Sequence, residues 1–139
     1  MSEFSTGKDR QYIPPGPAGT VLTSNGPSLN PSYQGSHITN TSAASYAVLP
    51  TDDLILANGA TNQDIILPVS GIAVGKKYRI KASNPSGGAP VNVQTADGVT
   101  NIDDWGAQYQ IWNAPSATQS GGFVEVEWDG TQSWIVAAL

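Results

Sequence analysis

From Ser45 onward, apolar and polar residues alternate in short runs that turn residues close off. "SYAVLP" (Ser45–Pro50) stops at a proline, "LILAN" (Leu54–Asn58) runs into Asn58-Gly59, and "DIILPV" (Asp64–Val69) carries Pro68 near its end. "KKYRIKA" (Lys76–Ala82) puts Tyr78, Ile80 and Ala82 on one face and Lys77, Arg79 and Lys81 on the other, the pattern of a strand with one wet face. "PVNVQT" (Pro90–Thr95) repeats the alternation through Val91 and Val93 after the turn "NPSGGA", and "QYQIW" (Gln108–Trp112) is a weaker run. In "GFVEVEWDGTQSWIVAAL", Val124, Val126 and Trp128 alternate with Glu125 and Glu127. Asp129-Gly130 then opens a tight loop and "SWIVAAL" returns, which predicts a β-hairpin. No stretch offers the 3.6-residue spacing of a helix, so the pattern predicts an all-β domain over residues 45–139. Its expected form is an antiparallel β-sandwich or jelly-roll-like fold of about eight short strands.

The first 44 residues sustain neither period and predict an extended N-terminal arm, residues 1–44, ahead of that domain. "PPGPAG" (Pro14–Gly19) suits polyproline II, and "SNGPS" (Ser24–Ser28) and "NPS" (Asn30–Ser32) are turn chemistry. Tyr12, Ile13, Val21, Leu22, Leu29 and Tyr33 are spaced along the arm like anchors.

Composition narrows the function classes. Only 12% of the 139 residues are charged, and Ser, Thr, Asn, Gln and Gly abound, giving a neutral polar surface. The net charge of −5 resides after residue 44, where nine acids face four bases. A domain of that sign repels phosphate backbones, which argues against nucleic-acid binding. The chain has no cysteine, so a disulfide framework, a thiolate metal site and a cysteine nucleophile are excluded. No apolar run approaches the roughly 20 residues that span a bilayer, so no membrane partner is expected. "MSEFSTGKDR" lacks the apolar centre of a signal peptide, so synthesis in a host cytoplasm without export by that route is expected.

Chemistry-bearing residues are few. His37, the one histidine, lies in the polar stretch "QGSHITN" and reads as an exposed or interface residue rather than a catalytic or metal-binding one. Asp52-Asp53 and Asp103-Asp104 are adjacent acids. In a strand such neighbours point to opposite faces, so they read as turn-forming or solvated rather than as a glycosidase pair or a calcium site. No nucleophile elbow is present. No enzyme activity, catalytic residue, cofactor or metal is therefore expected. Lys77, Arg79 and Lys81 are expected to blunt a sheet edge or to pair with Glu125 and Glu127. Trp128 and Trp134 flank the hairpin and suit a core or subunit interface. Trp105, Tyr109 and Trp112, in "DDWGAQYQIWNAPSATQSGG", read first as packing residues, with a distal ligand surface that stacks on a sugar as the alternative.

Two phrases carry a family resemblance. "GTVLTSNGPSLNPSYQ" (Gly19–Gln34) resembles the phrase "GxVLTSxGxxxxPxWQ" that leads into modules of tailed-phage fibres and other trimeric virion proteins, with Tyr33 replacing the usual Trp. The later runs "D-x-x-I", "I-x-L-P", "G-K-x-Y-x-I-K" and "W-D-G-T-x-x-W" follow in the order found in β-sandwich modules that cap such fibres. The resemblance implies a homotrimer without enzymatic activity. Because only a short arm precedes the sandwich in a chain that opens at Met1, the expectation is a capsid decoration (cement) protein. Such a protein would sit on the outer capsid surface of the virion and be held to major capsid protein subunits by its arm. The alternative that the same resemblance implies is a receptor-binding or glycan-binding knob of a tail fibre or spike, with a host surface glycan as partner.

Overall fold

The structure, a computed structural model, describes residues 14–84, 89–104, 106–112 and 121–139. The chain forms two compact units, Met1–Gly35 and Ser36–Leu139. The boundary therefore lies about ten residues before the one that the hydrophobic pattern suggests.

In the first unit, β1 (Val21–Thr23) and β2 (Ser32–Gln34) pair antiparallel, with Leu22 opposite Tyr33. The arm is thus not extended throughout. The turn chemistry of "SNGPSLN" accounts for the reversal. Gly26 supplies a φ of 97°, Leu29 N–H donates to Gly26 O at 3.5 Å, and Asn25 Nδ2 donates to Asn30 O at 2.6 Å. Just before β1, Thr20 N–H donates to Pro17 O at 3.2 Å across a turn that Gly19 permits with a φ of 86°.

The second unit is all-β and sandwich-like. Among the described residues its strands are β3 (Ile38–Thr41), β4 (Ser45–Ala47), β5 (Leu54–Ala57), β6 (Gln63–Leu67), β7 (Lys77–Ala82), β8 (Pro90–Thr95), β9 (Gln108–Trp112), β10 (Phe123–Trp128) and β11 (Ser133–Ala138). Every run read as a strand in the sequence is one. Two mixed sheets result, with orders β11-β10-β7-β5-β3 and β4-β6-β8-β9. Their inward residues build one buried cluster that includes Ile55, Tyr78, Ile80, Val124 and Val126 from the larger sheet and Ile65, Leu67, Val91, Val93 and Ile111 from the smaller. Each fully buried aliphatic side chain contributes about 1.5–3 kcal/mol relative to exposure.

The antiparallel expectation needs correction. β3, β5 and β7 run parallel in one sheet, and β4, β6 and β8 run parallel in the other. The chain alternates between sheets, so each strand's crossover to its parallel neighbour is a strand of the opposite sheet rather than a helix. Within the second unit, among the described residues, antiparallel pairs enter only with β9, β10 and β11. Alternating hydrophobicity specifies which face a residue occupies and carries no information on strand direction.

Successive corners are tied together by polar groups. Asn58 N–H donates to Thr41 O at 2.9 Å and Ser83 N–H to Ala57 O at 2.8 Å, continuing the parallel ladders past the strand ends. Buried Gln63 braces the corner between β5 and β6. Its Nε2 donates to Thr41 O and Ala43 O at 3.1 and 2.8 Å, and its Oε1 accepts Gly59 N–H at 2.6 Å. Glycine suits position 59, because a Cβ there would lie 2.6 Å from Gln63 Cδ and would displace the bracing side chain.

Candidate functional site

The chemistry-bearing residues gather where β3, β4 and the turn before β5 meet. Asp52 is fully buried and accepts four hydrogen bonds. Oδ1 takes Thr39 Oγ1 at 2.6 Å and His37 Nδ1–H at 3.0 Å, and Oδ2 takes Tyr46 OH and Leu49 N–H, both at 2.8 Å. Burial alone would raise the pKa of this carboxyl. The bonds from Thr39, Leu49, Tyr46 and His37 outweigh it and hold the group below its ordinary value, so Asp52 is a charged structural pin. Its neighbour Asp53 faces the other way, accepting His37 N–H at 2.8 Å and Lys76 Nζ at 2.7 Å, and burial is again outweighed so that its pKa falls. Tyr78, buried nearby, has its hydroxyl pushed up to about 12 by burial and by the charges of Asp52 and Asp53.

His37 is exposed and rests on Asp52, a His–Asp pair that sequence alone could not assemble. Asp52 is however saturated by Thr39, Tyr46 and Leu49, and among the described residues the histidine ring makes no bond to a serine that could serve as nucleophile. Asp103 and Asp104 adopt φ values of 55° and 62° in succession, the conformation of a tight turn that Asp tolerates, so this pair is turn-forming as read. No group of three or more His, Cys, Asp or Glu able to hold a metal exists among the described residues.

The basic strand pairs as expected. Lys77 lies opposite Glu127 and Arg79 opposite Glu125, with Arg79 Nε 4.0 Å from Glu125 Oε2. β7 is interior to its sheet, so these bases form part of a cross-strand charge ladder and do not guard an edge.

The residues suited to association lie elsewhere. In the first unit Val21 and Leu29 are 68% and 67% exposed, and Leu22 is exposed as well. The backbone of Tyr33 pairs with that of Leu22, while Tyr12 and Ile13 lie outside the described residues. In the second unit the edge strand β11 leaves Trp134, Val136 and the following Leu139 exposed. Val136 sits at an irregularity in the register, between Ile135 opposite Val126 and Ala137 opposite Glu125.

Strand alternation separates the distal aromatic residues. Trp112 is exposed on the outer face of β9, whereas Tyr109 packs against the core beside Ile111, and Trp105 lies outside the described residues. The run "QYQIW" carries that signal, since period two groups Tyr109 with Ile111 and Trp112 with Gln110 and Gln108.

No protein-family model matches the chain, and no curated protein matches it by sequence.

Proposed function

We propose that the protein is a non-enzymatic structural component of a tailed-phage virion, a decoration protein. In this reading it binds the outer head surface as a trimer and attaches to major capsid protein subunits through its N-terminal unit. The observation that carries the reading is the exposure of Val21 and Leu22 on a two-stranded sheet with three residues per strand, and of Leu29 in the turn that joins the strands. An isolated two-stranded hairpin is marginally stable in water, so a unit that displays its apolar residues is suited to gaining order and burial from a partner. The edges of β1 and β2 offer backbone groups for strand addition to a capsid subunit. Pro14, Pro15, Pro17, Pro27 and Pro31 limit the entropy lost on docking, and three such units on one trimer multiply individually weak contacts.

Trimer formation is assigned to the exposed apolar edge at β11, where Trp134, Val136 and Leu139 follow the bridge that Ser133 makes to Ile102 and the strand borders no further strand of its sheet. The deciding experiment adds protein lacking residues 1–35 to capsids stripped of decoration. Loss of occupancy with retained trimer mass is expected, and full occupancy by the truncated trimer overturns the reading.

A further inference from the structure

The outer face of the four-stranded sheet has an order that neither the core nor the proposed attachment uses. Alternation directs Gln108, Gln110 and Trp112 of β9 outward, along with Asn92 and Gln94 of β8 and Asp64 of β6. Asn92 Nδ2 donates to Asp64 Oδ1 at 2.9 Å, and Gln110 Nε2 donates to Asn92 Oδ1 at 2.8 Å. Three polar groups are thus linked into one row across three strands, with neighbours about 4.8 Å apart. Register places Gln110 opposite Asn92 and Gln108 opposite Gln94, so a second pair of amides borders the row. On the other side, one step along β9 and roughly 7 Å away, stands Trp112, 54% exposed.

The geometry points to this face as a binding surface for a neutral saccharide chain. The described part of the face carries no base, so it has no means of selecting an anion. Its one carboxylate, Asp64, already accepts an amide N–H from Asn92, which ill suits it to capturing a cation alone. The face is also too polar to receive the apolar side of a helix. What it presents is a flat indole beside amides whose orientation is fixed by their mutual bonds. Each amide in the row spends one N–H there and keeps the second, and Gln110 Oε1 remains available as an acceptor. A pyranose has the complementary chemistry: an apolar C–H face to lie on the indole, and equatorial hydroxyls that both donate and accept at its rim. Amides that are already ordered lose little rotamer freedom on binding.

The test uses the whole chain without capsids, so its result is independent of where on a virion the protein sits. It is applied to an array of immobilised neutral oligosaccharides of glucose, mannose, galactose and N-acetylglucosamine, with a sulfated glycan as counter-probe. Retention on at least one neutral probe is expected. Trp112→Ala should weaken it about tenfold or more, Gln110→Ala severalfold, and Val74→Ser, an exposed loop position distant in sequence, not at all. Unchanged circular dichroism and melting temperature of Gln110→Ala guard against a folding artefact. No retention on any neutral probe at millimolar concentration overturns the assignment, as does retention that both Trp112→Ala and Gln110→Ala leave intact, or binding confined to the sulfated probe.

Discussion

Thr39 Oγ1 donates a 2.6 Å hydrogen bond to Oδ1 of Asp52, a carboxylate with no exposed surface. Thr39 lies on β3 in the larger sheet, and Tyr46, which reaches the other carboxylate oxygen, lies on β4 in the smaller. One buried charge thus fastens the first strand of each sheet to the turn that leads into β5. Apolar packing could close that end too, but it would not fix the directions of four donors at once.

Asp52→Ala strands the Thr39 and Tyr46 hydroxyls and the Leu49 N–H, and removes the anchor of His37. Leaving several part-buried donors unmade costs about 3 kcal/mol or more. Equilibrium urea unfolding should show that loss, and a change under 1 kcal/mol would remove Asp52 from its assigned role. His37→Ala should cost far less, because the histidine is exposed and supplies one of four bonds.

Acid should unfold the domain through the same carboxylates. Asp52 and Asp53 have folded pKa values below their ordinary ones, and Asp97 is held at about 2 by Thr100 Oγ1 and the backbone N–H groups of Thr100 and Val99. Depressed carboxyl groups bind fewer protons folded than unfolded. Their stabilisation is therefore complete above the ordinary aspartate range, near pH 4, and is lost as pH falls through the folded values. Melting temperature should be level for these groups from pH 7 to about 5 and fall steeply below about 4. Asp52→Asn should flatten the acid limb, and an unchanged slope would show that this group does not titrate on unfolding.

Gly59→Ala tests the corner brace. The new Cβ would stand 2.6 Å from Gln63 Cδ, and moving that side chain sacrifices its bonds to Thr41 O and Ala43 O. A loss of about 2–3 kcal/mol is expected by urea unfolding. Gly35→Ala, where an added Cβ meets nothing within 4 Å, should be near neutral. Equal effects at the two sites would show that the brace contributes nothing.

The sequence made face assignment legible wherever apolar residues occupied the inward positions. Tyr78, Ile80 and Ala82 on β7 and Val124, Val126 and Trp128 on β10 are buried as their spacing implies, and the pairing of Arg79 with Glu125 follows from the charges of facing strands. β3 was hidden because its inward positions hold Thr39 and Thr41 rather than aliphatic residues, so "ITNT" reads as polar arm. Those threonines face a polar pin at Asp52 and a polar brace at Gln63, whose burial no local pattern announces. Strand direction was equally silent, since a parallel and an antiparallel neighbour ask for the same alternation. The site residues show the same limit. His37 and Asp52 are fifteen residues apart, and only the return of the chain to the larger sheet brings them within 3.0 Å.

Self-association through β11 gives a prediction about mass. The strand is an edge, and Val136 and Leu139 are 47% and 84% exposed beside half-covered Trp134. An exposed apolar edge of this kind favours pairing with another copy, and charge on an edge is a common means of preventing it. Light scattering coupled to size exclusion should give three times the chain mass of 14.5 kDa for the natural sequence. The double variant Val136→Glu and Leu139→Glu should give a monomer that keeps its β-rich circular dichroism, since neither side chain belongs to the buried cluster. A natural chain that runs as a monomer at tens of micromolar would exclude the trimer. A trimer that the double variant leaves intact would move the interface away from β11 and toward the other end of the same sheet, where Ile38 of β3 and Leu54 and Leu56 of β5 occupy outward positions.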